Sequence, residues 1–291
     1  MATTVAPVPA PPRSEEPPAA ARRNLPFSAG TASRVLILAI ATFLTLGPVI
    51  WTFWTSITPK PPGGGEAEVG LSAYRDVFDQ VDYALLFWNT VLVTGLVAAG
   101  QMFTAALAGY VFARMEFRGK NLLFGVVLAT MMVPMQVTIV PVFMLIRGMG
   151  LSDTLLALII PALPTAFGTF LMRQYFMSLP PELAEAAAID GASPFRTFFS
   201  VYAPLALPGL AIVGILAFNY HWNEFFRPLI LTISEENFTL PLGLVSLQGN
   251  LGTGSVATVL AGVVLSMIPA LAVFIVGQRT LREGLTAGTN K

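Results

Sequence analysis

The sequence predicts an all-α membrane protein with six transmembrane helices and both termini cytoplasmic. Three observations carry that expectation. The chain of 291 residues is 55% hydrophobic and only 11% charged, with mean hydropathy +0.71, whereas a soluble domain carries about 25% charged residues. Its uncharged stretches recur at the length of a membrane-spanning helix, about 20 residues. Of its 16 Lys and Arg, only Lys60, Arg75, Arg147 and Arg227 fall on the outer side when the N-terminus is placed inside, the bias that cytoplasmic segments show. The remaining composition excludes whole classes of function. A net charge of +0 gives no basic face for nucleic acid. No cysteine and a single histidine, His221, leave neither thiol chemistry nor a multi-His metal site, so no metal is expected.

Along the chain, residues 1–30 are rich in Pro and Ala and cannot bury a core, which reads as a disordered cytoplasmic tail. Arg22 and Arg23 ahead of an apolar run suggest a signal peptide, but the run is too long and no small-residue cleavage site follows. The transmembrane domain then fills 31–291, with spans expected at about 35–57, 84–112, 121–146, 154–176, 206–232 and 256–278. Between the first two, Pro61 to Asp82 is an acidic outer segment opening with Pro-Pro-Gly-Gly-Gly. Pro134 and Pro141 should break the third span, and Pro161 and Pro164 the fourth. The stretch before the last span, with Gly243, Gly249, Asn250, Gly252 and Gly254, reads as a mobile outer loop.

The long inner segment 178–205 is the informative one. Pro180 and Pro181 suit a helix start, Glu182 and Glu185 favour the positive end of its dipole, and four alanines propagate it. Gly191 sits where a helix end requires positive φ. Ser193-Pro194 opens a second helix as cap and first residue, and Phe195, Phe198 and Phe199 should give that helix one aromatic face. Such a hairpin either docks against another protein or lies on the inner leaflet.

Glu185-Ala186-Ala187-x-x-x-Gly191, nine residues, then Val201-x-Ala203-Pro204, resembles the EAA loop of ABC importer permeases, with Val201 in place of Ile and Ala203 in place of Leu. Ala108–Asn121, Val133–Pro141, Trp222–Pro228, Thr239–Leu244 and Gly284–Gly288 resemble segments of the carbohydrate-uptake, maltose-transporter type, over roughly residues 30 to 290. The resemblance implies a six-span partner permease that pairs with a second, non-identical permease above an ATPase dimer. An extracytoplasmic solute-binding protein would deliver the substrate. Glu185, Ala186, Ala187, Asp190, Gly191 and Pro194 would then couple to the ATPase, against the plainer alternative that Glu185 is a dipole-favoured surface residue. No phosphate-binding G-x-x-x-x-G-K-[ST] loop occurs. The chain is therefore expected to be no enzyme and to hold no cofactor, with ATP and Mg on the partner ATPase.

Polar groups near the outer half of the fifth span are candidate path lining: Asn219, His221, Trp222, Asn223 and Glu224. Their alternatives are an interfacial belt for Trp222, a Glu224–Arg227 pair closing a helix end, and simple packing for His221. Gln101, Gln136 and Asn89 read as interhelical hydrogen bonders. Leu242, Gly243, Gln248, Gly249 and Asn250 are candidate contacts for the binding protein, or part of a plain connector. The substrate is expected to be a neutral sugar, with glycerol-3-phosphate or another small polar solute as the alternative. A self-contained secondary transporter would show internal repeats and intramembrane charge, and a membrane hydrolase would need a catalytic constellation; neither pattern is found.

Overall fold

The structure, a computed structural model, describes residues 29–60, 65, 66, 68–249 and 254–286. Most of the expected tail therefore lies outside the described residues. The chain forms two compact units, Met1–Val49 and Ile50–Lys291. Described residues of the first belong to helix α1 (Ala29–Ser56), whose side chains from Val35 to Leu46 are exposed. A helix apolar on all sides needs an apolar solvent or partner around it.

Among the described residues the second unit is helical without strands. α2 (Ser72–Gln80) leads to α3 (Tyr83–Arg114), which Asp82 caps by accepting from the Leu85 amide at 3.0 Å. α3 is the post of the fold and packs against α7 (Ala166–Ser178) and α11 (Leu207–Trp222). Small residues set how closely α3 and α7 approach: a Cβ on Gly109 would lie 2.9 Å from the Arg173 nitrogen, and one on Gly168 would lie 3.1 Å from Ala105 Cβ.

Three helices are long and apolar enough to cross a membrane, and three bent pairs bring the number to six if each pair is one span. α4 (Lys120–Thr130) and α5 (Met135–Gly148) meet at 100°. The bend falls at Pro134, but Pro141 sits inside α5 without ending it. α6 (Leu155–Ile159) with its 3₁₀ extension meets α7 at 41°, at the Pro161–Pro164 break. The third pair joins the helical run Pro194–Leu205 to α11 at 74°.

The fifth expected span, 206–232, is not one helix. α11 stops at Trp222, and α12 (Phe226–Leu231) starts after a break. Pro228 has no N–H for the Glu224 carbonyl and its ring crowds that carbonyl, which favours a break there. Beyond it, the expected mobile loop is largely packed. α13 (Leu240–Gly243) and a 3₁₀ turn over Leu244–Gln248 bury Leu240, Leu244 and Leu247 against Leu86 and against Ala257 and Ala261 of α14 (Val256–Thr286). Leucines at i, i+4 and i+7 give one apolar stripe, which outweighs the local glycine content.

Candidate functional site

The segment after α7 folds into two short helices, α8 (Glu182–Ile189) and α9 (Pro194–Thr197), joined by a fixed turn. Gly191 has φ +72°; its amide donates to Ala188 O at 3.0 Å, and the Ala192 amide donates to Ala187 O at 2.9 Å. Those two bonds are the left-handed helix stop that a glycine permits. Ser193 then caps α9, accepting from the Arg196 amide at 3.4 Å. A π-helical stretch, Phe198–Tyr202, and α10 (Ala203–Leu205) follow; Pro204 offers no N–H to Ser200, consistent with the widened turn.

The hairpin stands on an aromatic base. Tyr110, Phe176, Phe198 and Tyr202 surround one another with ring centroids 5.1 to 6.4 Å apart. Arg114 donates to Phe176 O at 2.6 Å and to Leu179 O, and lies 5.2 Å over the Tyr202 ring. Two helix-end carbonyls and an aromatic face thus hold one guanidinium, which fixes the hairpin's root to the end of α3. Sequence reasoning missed Arg114 as more than an inner charge; its place one turn after Tyr110 was the available signal. The expected aromatic face divides: Phe198 is buried, while Phe195 is 74% and Phe199 56% exposed. Glu185, Ala186, Asp190, Gly191 and Pro194 are exposed with Ile189, Ala187 faces inward, and Glu185 has no ion pair among the described residues.

A second site lies where α3, the α6–α7 break, α11 and α12 converge on a cavity of about 460 Å³. Side chains serve carbonyls at and beside the break. Gln101 donates to Ala162 O at 2.8 Å, Thr104 to Leu163 O at 2.9 Å, and Arg227 to Leu158 O at 3.1 Å. The second Gln101 amide hydrogen points to His221 Nε2 at 3.0 Å, and His221 Nδ1 lies 2.7 Å from Glu224 Oε2. Only one tautomer satisfies both contacts: Nδ1–H donates to the carboxylate and Nε2 accepts from Gln101. Glu224 Oε1 completes an ion pair with Arg227 at 3.1 Å, both side chains about nine-tenths buried. Glu224 and Arg227 bring one negative and one positive charge to the cluster.

The other expected path residues divide. Asn219 and Asn223 are exposed and linked, Asn223 Nδ2 donating to Asn219 O at 2.8 Å. Trp222 is 2% exposed. It packs against Phe87 and Phe218, and its indole N–H donates to Ser266 O at 2.9 Å, joining α11 to α14. Gln136 is exposed, whereas Asn89 donates to Glu236 O and Phe238 O.

Of the expected binding-protein contacts, Leu242 and Gly243 are buried; a Cβ on Gly243 would lie 2.3 Å from Leu86 Cδ1. Gln248 and Gly249 are exposed, and Asn250 lies outside the described residues. The same end of the fold holds a carboxylate clamp. Asp153, at φ +57°, accepts from the Ile233 and Ser234 amides at 2.8 and 3.0 Å and from the Ser234 hydroxyl. These bonds, the Ile233 amide foremost, hold its carboxyl down at about pKa 2 against an ordinary 3.8.

Comparison with known proteins places the chain in a family. Residues 101–282 match the model of the family described as "Binding-protein-dependent transport system inner membrane component". The lactose transport system permease of Rhizobium radiobacter is 32% identical over 86% of this chain and 92% of its own. The trehalose transport system permease of Mycobacterium tuberculosis is 33% identical over 89% and 99%. The sn-glycerol-3-phosphate transport system permease of Pectobacterium atrosepticum is 34% identical over 70% and 73%. Among solved structures, a bacterial ABC transporter for import of the acidic polysaccharide alginate superposes with TM-score 0.74 at 28% identity, covering 85% of this chain and 95% of that one. The chain belongs to the inner-membrane components of binding-protein-dependent transport systems, as a permease of an ABC importer.

Proposed function

We propose that this permease imports a neutral sugar, pairing with a second, non-identical permease above an ATPase dimer. The hairpin 178–205 is the EAA coupling loop, on the cytoplasmic side with both termini. Its geometry is the observation that carries the reading: Glu185, Ala186 and Ile189 project from a stiff alanine helix with a fixed bend at Gly191, on a base locked by Arg114. Small side chains let a partner's groove approach closely, and Glu185 is placed to meet a basic residue there. Closure of the ATPases on ATP and Mg, held by those subunits, pulls this lever and moves α7 and α11. The opposite end, with Gln248 and Gly249 exposed, meets the solute-binding protein. Asn219 and Asn223 line the path.

Relatives named for lactose and trehalose support a sugar. The relative named for glycerol-3-phosphate supports a phosphorylated solute instead. A phosphate needs uncompensated cations, and Arg227 is already balanced by Glu224. The neutral sugar therefore fits better. The test is to tag the chain's C-terminus, extract it gently from its native membrane and identify what co-purifies. An ATPase with a second permease is the expected result; recovery of the chain alone, stable and monodisperse, would overturn the reading.

A further inference from the structure

The polar cluster at the α6–α7 break leaves specific hydrogen-bonding capacity unused. Both Gln101 amide hydrogens are committed, to Ala162 O and His221 Nε2. Its Oε1 therefore remains an acceptor with no partner among the described residues. Gln101 lines the 460 Å³ cavity together with Tyr220, Arg227 and the apolar walls Phe167, Leu216 and Ala217. The Tyr220 hydroxyl makes only a weak 4.0 Å contact to Met135 Sδ among the described residues, and Arg227 has donors beyond those given to Leu158 O and Met135 Sδ. Apolar walls with a few convergent polar groups, one of them oriented by a buried network, are the general makeup of a small-molecule pocket of about 300–1,000 Å³.

We propose that this cavity is a sugar subsite held by this permease itself, in which Gln101 Oε1 and the Tyr220 hydroxyl take sugar hydroxyls. The apolar walls cover the C–H faces. His221 also lines the cavity, but both its ring nitrogens are taken up by Gln101 and Glu224. His221 and Glu224 are positioning residues that hold the Gln101 amide in one orientation and keep Arg227 neutralised. The subsite rests on the sugar-import reading. It adds a place for the sugar separate from Asn219 and Asn223, and residues that reading does not use.

The chain contains no cysteine, so a single introduced thiol reports on the cavity. In vesicles carrying the complete importer, Leu216→Cys is labelled with a methanethiosulfonate reagent, with ATP withheld and lactose or trehalose present. Leu145→Cys, exposed and outside the cavity, is the control. A transported sugar at ten times its dissociation constant should slow labelling at Leu216→Cys about tenfold and leave Leu145→Cys unchanged. Gln101→Ala, made in the Leu216→Cys chain, should raise the sugar concentration that half-protects the thiol about tenfold, the loss of one hydrogen bond to substrate. An unchanged half-protecting concentration would take Gln101 out of the subsite and leave it a purely structural residue. Equal labelling with and without a sugar that the wild-type vesicles take up would overturn the subsite alone. Failure of wild-type vesicles to take up either sugar would sink the import reading, and the subsite with it.

Discussion

Single residues decide whether the hairpin can act as a lever. At φ +72°, Gly191 occupies a conformation that costs an ordinary residue about 1–2 kcal/mol. Proline, locked near φ −65°, cannot occupy it at all. Gly191→Pro should abolish uptake while the chain still reaches the membrane, measured as sugar accumulation against the amount of protein in the membrane fraction. Normal uptake by that variant would remove the coupling role from this helix. Gly191 was legible because its role is local: a helix stop is written in the residues around it. Trp222 was not. It sits on a helix apolar nearly all round, where periodicity names no buried face, and only the packing of Phe87 and Phe218 shows where its ring goes. Gln101 and His221 were legible as polar groups within spans, but their meeting depends on how α3 crosses α11.

At the scale of elements, the Asp153 clamp ties the α5–α6 connection to the chain after α12. Its carboxyl has a lowered pKa, so its contribution is complete above the unfolded value near 3.8. That contribution is lost as pH falls from there toward about 2. Hydrogen-exchange protection of the Ile233 and Ser234 amides should therefore be level from neutral pH down to about 4 and fall below that. Asp153→Asn, which keeps an acceptor and tolerates the positive φ, should weaken protection several-fold at neutral pH, because charge-assisted bonds are roughly twice as strong. Loss of protection already at pH 5 to 6 would sink the clamp. The proline breaks of α4–α5 and α6–α7 could be read from sequence, since a missing N–H acts where it stands. The packed turn Leu240–Gln248 could not, because neighbouring glycines hid a leucine stripe whose partners, Leu86 and Ala261, are remote in sequence.

For the whole molecule, the sidedness expected from Lys and Arg gives a direct prediction. Because no native cysteine interferes, Gln248→Cys in intact cells should react with a membrane-impermeant maleimide, and Ile189→Cys only after the membrane is opened. Reaction of Ile189→Cys in intact cells would reverse the orientation and place the hairpin away from any ATPase. The fold class was readable because a bilayer imposes length and apolarity on every crossing segment. The cavity was not, since it exists only where four elements meet.

The ion pair beside that cavity has a consequence for energetics. Moving one elementary charge through a membrane potential involves about 2.3 kcal/mol per 100 mV. Glu224 and Arg227 are joined at 3.1 Å, so a rearrangement that carries the two together displaces no net charge with them. Membrane voltage then does no net work on that pair when it moves.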